Sequence, residues 1–199
     1  MNPSSFVRDQ FTLSEVRHAV EESVFAYSGC SFFREQEMEN SYLTNSSLKF
    51  FDGDAGQFWQ AFQSGLFHFM ETLDFDRTEL EYGEILKKLA GAAAFIASYY
   101  SELGYEDEAM NMRFTYSGVE NFHLGGIIET GKRKKEPGFI CRIPVIDVKK
   151  QCSAVNVYSS VPEFAADLVV EVCERFNVPS SRHRDLADTV RKFLENRTI

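Results

Sequence analysis

The sequence has few of the residues that mark disulfide-bonded, collagen-like or membrane-spanning proteins. Its 199 residues include 4 cysteines, 5 prolines and 12 glycines. The cysteines form no C-x-x-C pair and are too sparse for a secreted disulfide scaffold. The longest apolar run, 89–97, is too short to cross a bilayer, and the N-terminus lacks the apolar core of a signal peptide. We therefore expect a cytoplasmic protein that makes no contact with a membrane.

The common motifs of phosphate and cofactor binding are also missing. The chain contains no GKS/T loop, no G-x-G-x-x-G sequence and no G-x-S-x-G sequence. The segment Asp52-Gly53-Asp54 starts like a calcium loop, but Gln63 stands where the last glutamate ligand would be. No cofactor and no metal site is predicted from these patterns.

Aromatic and acidic residues are abundant instead. The chain has 19 Phe, 8 Tyr and 1 Trp, which is enough apolar surface to build a core and excludes a disordered protein. Acidic residues outnumber basic ones by 30 to 21, giving a net charge of −9. Residues 1–110 hold 19 acidic and 7 basic side chains, a net of −12, while residues 111–199 carry a net of +3. Partners with basic surfaces should therefore meet the first half.

The periodicity of the apolar residues predicts an α+β fold in a single composite domain, residues 1–199. An acidic helical half, residues 1–105, is followed by a half at 106–199 that contains a sheet and two helices. The N-terminal helices would pack on an antiparallel meander of about four strands, and two C-terminal helices would complete the domain.

Three helices are predicted in the acidic half. The first begins at Thr12 or Ser14, whose side chains can cap a helix, and the third covers 78–103. The second is expected from Asp54 or Gly56 onward, because large apolar residues recur at three- and four-residue spacing. They are Phe58, Phe62, Leu66, Phe69 and Leu73.

Alternation of apolar and polar residues predicts the strands of the second half. The clearest strand is 110–116, and further strands are expected at 121–130, 138–149 and 153–158. Two helices should follow, the first beginning at a Ser-Val-Pro-Glu sequence and the second covering 182–195.

The aromatic stripe of the second helix is the first candidate binding surface. We predict that Phe58, Trp59, Phe62 and Phe67 contact a protein partner or a second copy of the chain. Packing in the core is the alternative explanation of this stripe. Phe67 lies off the main stripe and is the residue expected to be exposed.

Basic residues are concentrated in two places. The last helix carries three arginines, and a turn-rich loop between two predicted strands is basic along most of its length. Both are candidate sites for an anion or a nucleic acid, although a net charge of +3 is a weak electrostatic signal for DNA. The basic residues of the loop are Lys132, Arg133, Lys134 and Lys135.

The sequence Asp147-Val148-Lys149 is the most specific candidate for catalysis. Residues two apart on a strand point to the same face, so the two charged side chains would be neighbours. Restriction-type nucleases place a metal ligand beside a lysine in this way, and Glu129 would supply a second carboxylate. The segment resembles the D/E-x-K part of that family without its preceding Pro-Asp. A metal-dependent nuclease using Glu129, Asp147 and Lys149 is therefore the alternative prediction, and a solvated strand edge explains the same residues.

A longer resemblance covers about residues 89–178. The segment Phe95–Tyr105, the strand at 110–116 and the helix ending near Val178 resemble the accessory region of bacterial Schlafen-type nucleic-acid- and ATP-binding proteins. The resemblance implies an accessory part of a bacterial assembly linked to nucleic acid or phage defence, and it assigns no site residues. Our leading prediction is a non-catalytic interaction or regulatory subunit of such a cytoplasmic assembly. A DNA-mimicking acidic protein is a third hypothesis.

Overall fold

The structure is a computed structural model that describes residues 2–3, 10–24, 32, 35–73, 76–126 and 138–196. It contains both helices and strands, which confirms the predicted α+β class. The chain divides into two compact units. The first comprises residues 1–74, 91–112 and 149–161, and the second comprises residues 75–90, 113–148 and 162–199. The single composite domain stays a prediction.

The described elements follow one another along the chain in this order: β1 (Asn2–Pro3), α1 (Leu13–Ser23), α2 (Glu35–Glu39), β2 (Tyr42–Leu43), β3 (Ser47–Asp52), β4 (Gln57–Phe62), β5 (Phe67–Glu71), β6 (Glu79–Glu81), α3 (Tyr82–Glu102), β7 (Ala109–Ser117), β8 (His123–Gly125), β9 (Phe139–Ile140), β10 (Val145–Ser153), α4 (Ala154–Ser159), α5 (Val161–Arg175), a 3₁₀ turn (Ser180–Arg182) and α6 (His183–Asn196).

A four-stranded antiparallel sheet lies in the first unit. Its strands are arranged in the order β2-β3-β4-β5, so each strand pairs with its neighbour in the sequence. On one side of the sheet Phe67 packs against α3, where the Phe67 and Phe95 ring centroids are 4.6 Å apart. Helix α1 lies against β3 and β4. Trp59 and Leu48 are fully buried. Burial of these large side chains is the main stabilising contribution to this unit.

The predicted second helix is wrong, because residues 57–62 and 67–71 form β4 and β5. The turn before β4 explains the strands. The Asp52 carboxylate accepts hydrogen bonds from the N–H groups of Asp54 and Ala55, both at 3.0 Å. Gly56 then adopts φ +62°, and a Cβ there would lie 2.8 Å from the Thr72 Cβ. This turn reverses the chain and leaves a side chain no room at Gly56.

The strand expected at 153–158 is also wrong, because residues 154–158 belong to α4 and Ser153 is the last residue of β10. Ser153 caps this helix: its hydroxyl accepts a hydrogen bond from the Asn156 N–H at 3.4 Å. The cap provides a helix start that the β-branched Val155 and Val157 do not reveal in the sequence.

The strands of the second half belong to two three-stranded sheets instead of one meander. Their orders are β1-β7-β10 and β6-β8-β9. Strand β6 pairs with β8 in parallel, and β8 pairs with β9 antiparallel. The strand predicted at 110–116 is confirmed as β7.

The other predicted helices are confirmed, except that the helix expected from residue 78 begins at Tyr82, after strand β6 at Glu79–Glu81. The Thr12 hydroxyl accepts the Glu15 N–H at 3.2 Å, and the Glu15 carboxylate accepts the Thr12 N–H at 2.7 Å, so a capping box begins α1. Gly104 follows α3 at φ +75°, the left-handed conformation that ends many helices. Asn177 follows α5 at φ +62° and donates a side-chain hydrogen bond to the Ile140 carbonyl at 2.8 Å.

The second unit packs the beginning of α3 with the C-terminal helices. The Tyr82 hydroxyl donates a hydrogen bond to the Leu186 carbonyl at 3.1 Å, and Leu186 and Val190 of α6 are buried. Burial raises the pKa of the Cys173 thiol to about 12. In the part of the chain that the structure describes, no helix is both long enough and apolar enough to cross a membrane.

Candidate protein-interaction surface

The four predicted partner-binding residues separate onto the two sides of the four-stranded sheet. Trp59 and Phe67 face α3 and are 0% and 1% exposed, so both side chains lie in the core. Phe58 and Phe62 point to the other side and are half-buried. The side chain of Phe67, the residue expected to be exposed, is therefore buried on the α3 side of the sheet.

The side of this sheet that faces away from α3 carries mostly aromatic and apolar residues. Its central row crosses β3, β4 and β5, because Phe51 pairs with Phe58 and Phe58 pairs with Met70. Phe51 is 61% exposed and Met70 is 52% exposed. We call this side the aromatic face. It consists of Tyr42, Lys49, Phe51, Phe58, Gln60, Phe62, His68 and Met70.

The polar groups of the aromatic face contact its rings. The Lys49 ammonium lies 5.3 Å from the Phe58 ring centroid and 6.0 Å from that of Tyr42, within the range of a cation–π interaction. The His68 ring meets Phe58 edge to face at 5.6 Å, and partial burial of the ring lowers the pKa of His68 below its ordinary value. No carboxylate belongs to the aromatic face.

The sequence reasoning missed Tyr42, Phe51 and Met70 as surface residues. The signal for them is the two-residue alternation on either side of the Asp52–Gly56 turn and the turn at Gly65. This alternation is hard to see in the sequence, because the adjacent Phe50 and Phe51 are both aromatic but point to opposite sides of the sheet. When both sides of a strand carry aromatic residues, the polar and apolar positions no longer alternate.

A cleft of about 380 Å³ adjoins the aromatic face at Phe51. Its lining includes Asp52 and Asp54 from the β3–β4 turn and Glu37 from α2. Asp54 is exposed and Glu37 is 5% exposed. None of the described residues that line the cleft is Lys, Arg or His, so its lining is acidic and amide-rich.

The predicted catalytic pair lies on β10, where Asp147 and Lys149 are two residues apart on the more exposed side of the strand. The Asp147 carboxylate is 2.7 Å from Nε of Arg113 and accepts a hydrogen bond from Thr115 at 3.4 Å. The hydrogen bond that Arg113 donates to Asp147, together with the negative charge of that carboxylate, raises the pKa of Arg113.

Glu129, the second carboxylate of the predicted nuclease site, lies outside the described residues. Among those that are described, no three His, Cys, Asp or Glu side chains form a group that could hold a metal. The nuclease stays a prediction.

The predicted anion-binding loop, Lys132 to Lys135, also lies outside the described residues. In the last helix, Arg191 is 2.9 Å from the Asp188 carboxylate and 3.7 Å from that of Glu163. The positive charge of Arg191 is therefore balanced by neighbouring acidic side chains. Nucleic-acid binding by these segments stays a prediction.

A second exposed sheet surface, in the second unit, has a different composition. On residues 113–117 of β7 and on the first half of β10, the outward positions are polar apart from Val145. They are occupied by the Arg113 and Asp147 ion pair and its neighbours. We call this surface the polar face. It consists of Arg113, Thr115, Ser117, Val145 and Asp147.

Comparisons of the chain with protein-family models, with curated proteins and with solved structures find no match. The Schlafen-type resemblance therefore stays a prediction.

Proposed function

We propose that the chain is a non-catalytic protein-interaction subunit whose binding surface is the aromatic face. The observation that supports this proposal is the row formed by Phe51, Phe58 and Met70 across three paired strands. An antiparallel sheet that has one side in the core usually presents polar residues on the other. An exposed row of large apolar side chains is instead typical of an interaction surface.

The row also has properties that favour tight binding. Phe and Met are enriched at protein interfaces, and aromatic side chains bury a large area for a small loss of rotamer entropy. Because Phe51 and Phe58 lie on paired strands, their backbone is already ordered before a partner arrives. A preorganised surface loses little conformational entropy on binding, so more of the apolar contact energy contributes to affinity.

The proposed subunit acts by contact within a larger assembly. The link of that assembly to nucleic acid or phage defence comes from the Schlafen-type resemblance and remains part of the proposal. The acidic character of residues 1–110 adds electrostatic attraction for partners that have basic surfaces.

Affinity purification with face variants tests the proposal. The tagged full chain, a Phe51→Ser/Met70→Ser variant and a Val155→Ser/Tyr158→Ser variant would be expressed in the source organism, and co-purifying proteins would be measured by quantitative mass spectrometry. Val155 and Tyr158 of α4 are 44% and 67% exposed, so the second variant removes exposed apolar residues elsewhere. We expect the recovery of a specific partner to be at least about tenfold lower with the face variant than with the parent chain, because central interface residues contribute most of the binding energy.

The α4 variant should retain that partner. Circular dichroism and thermal unfolding would establish that both variants fold like the parent chain. Equal recovery of every partner by the parent chain and the folded face variant would refute the aromatic face as the binding surface.

A further inference from the structure

We infer that the aromatic face binds a short amphipathic segment of another protein, and that this segment carries apolar side chains and one Lys or Arg. The inference rests on the proposed function and specifies the chemistry of the partner. It is based on the position of Phe51, which belongs to the aromatic face and also lines the acidic cleft beside the β3–β4 turn. The other strand residues of the cleft, Phe50, Asp52 and Gln57, point to the α3 side, so the cleft meets the aromatic face at Phe51 and the turn.

The chemistry changes in order along β3 and the turn that follows it. Lys49 lies over the Phe58 ring, Phe51 is exposed two residues later, and Asp54 is exposed in the turn that follows. Asp52 points to the α3 side of the sheet, so its carboxylate lines the cleft but does not belong to the aromatic face. A segment bound in this direction would place its apolar side chains on Phe51 and Phe58. Its basic side chain would then enter the cleft beside Asp54.

The cleft has the size and the charge to receive such a side chain. Its volume of about 380 Å³ exceeds the space that one long side chain needs, and an amide-bearing wall is provided by Gln36 and Asn40 of α2. One Asp52 oxygen already accepts the two N–H groups of the turn. Asp54 is exposed at the edge of the cleft, where a guanidinium or ammonium group can approach it.

The charge of the surrounding chain favours the same partner. Residues 1–110 carry a net charge of −12, so their field attracts a basic segment before contact is made. Two other occupants fit less well. A single-stranded nucleic acid could stack on the rings, but its phosphates would come near the exposed carboxylate of Asp54. A second copy would bring two acidic clefts and two chains of net charge −9 together.

Peptide selection on the full chain tests this inference. A library of random short peptides would be displayed on phage and selected on the biotinylated protein, and enriched peptides would be synthesised with a fluorophore. Binding would be measured by fluorescence anisotropy for the parent chain and for Phe51→Ser, Asp54→Lys and Asp107→Lys. Asp107 is exposed in the same unit and does not line the cleft, so its variant is the matched charge control.

We expect the enriched peptides to share apolar residues and a Lys or Arg at a fixed offset. Asp54→Lys should weaken their binding by about three- to tenfold, and this difference should shrink at high salt. Asp107→Lys should change it by less than about twofold. Phe51→Ser should weaken it by at least about tenfold. Unchanged denaturation midpoints would establish that the charge variants fold.

The remaining outcomes separate the inference from the proposed function. Peptides that depend on Phe51 but lack a basic residue, or that ignore Asp54→Lys, overturn the inference and leave the aromatic face as the binding surface. Peptides that ignore Phe51→Ser, or no enrichment, count against both. Tighter Phe51-dependent binding of a labelled single-stranded oligodeoxythymidylate would identify nucleic acid as the occupant. A Phe51-dependent dimer in native mass spectrometry would identify a second copy. Either result overturns the inference.

Discussion

The two exposed sheet surfaces of this protein differ in the kind of side chain that they present to solvent. The polar face of β7 and β10 is built around an ion pair between Arg113 and Asp147. The aromatic face of β3, β4 and β5 presents a row that includes Phe51, 61% exposed, and Met70, 52% exposed. Both surfaces cover buried residues on the other side of their strands, such as Ile146 beneath the polar face.

The difference teaches which surface is adapted to remain in water. A half-buried strand needs apolar residues on one side only, and the polar face follows this pattern. Burial of the core does not require the aromatic residues of the second surface, since Trp59 and Phe67 already fill the inner side. The outer aromatic row therefore needs another explanation, and binding a partner is the one that its composition supports.

The largest expected effect comes from comparing the inner and outer sides of the four-stranded sheet. Phe67→Ala should lower the free energy of unfolding by about 3–5 kcal/mol, because it empties space beside Phe95 and Tyr99. Phe51→Ala should lower it by about 1 kcal/mol or less, since only a cross-strand contact is lost. Urea denaturation of both variants measures the difference. Similar decreases in the free energy of unfolding for the two variants would show that Phe67 is no more deeply buried than Phe51, which would contradict the assignment of an inner and an outer side of the sheet.

The sequence predicts much of the fold where one kind of local signal acts alone. The capping box at Thr12, the glycine after α3 and the alternation in β7 are each clear in the sequence and present in the structure. The parallel pairing of β6 with β8 is not predictable in this way. It joins residues far apart in the chain, and no local pattern reports such a pairing.

The site was harder to predict because the aromatic face hides the strands that form it. Phe58 and Phe62 are four residues apart, which is a helical spacing, but they share the outer side of one short strand. Phe67 looked peripheral in a helical arrangement and is buried in the sheet. An apolar outer surface removes the polar positions that identify a half-buried strand, so a binding surface of this kind weakens its own sequence signal.

A smaller effect is expected from the ion pair of the polar face. Arg113 is largely exposed and Asp147 partly so, with side-chain exposures of 63% and 28%. Solvent screens such a pair, so Arg113→Ala, Asp147→Ala and the double variant should each destabilise the protein far less than Phe67→Ala. A double-mutant cycle from urea denaturation at low and high salt measures the coupling, which should decrease as salt is added. A coupling that is large and independent of salt would show that the polar face is shielded from water.

The smallest expected effect concerns His68, the histidine of the aromatic face. Partial burial lowers its pKa below the ordinary value for histidine, about 6.5. The folded state therefore favours the neutral His68 ring. The contribution of His68 to the free energy of unfolding is complete at a pH above the ordinary histidine pKa, and it is lost as the pH falls below that value. A histidine-selective NMR titration should place the midpoint of His68 below that of the urea-unfolded chain. Phe58→Ala should raise it, because the ring that contacts His68 at 5.6 Å is removed, whereas Phe51→Ala should change it less. A midpoint equal to that of the unfolded chain would mean that water reaches the His68 ring as freely as it does in the unfolded chain. The aromatic face and the polar face would then differ in their residues but not in their hydration.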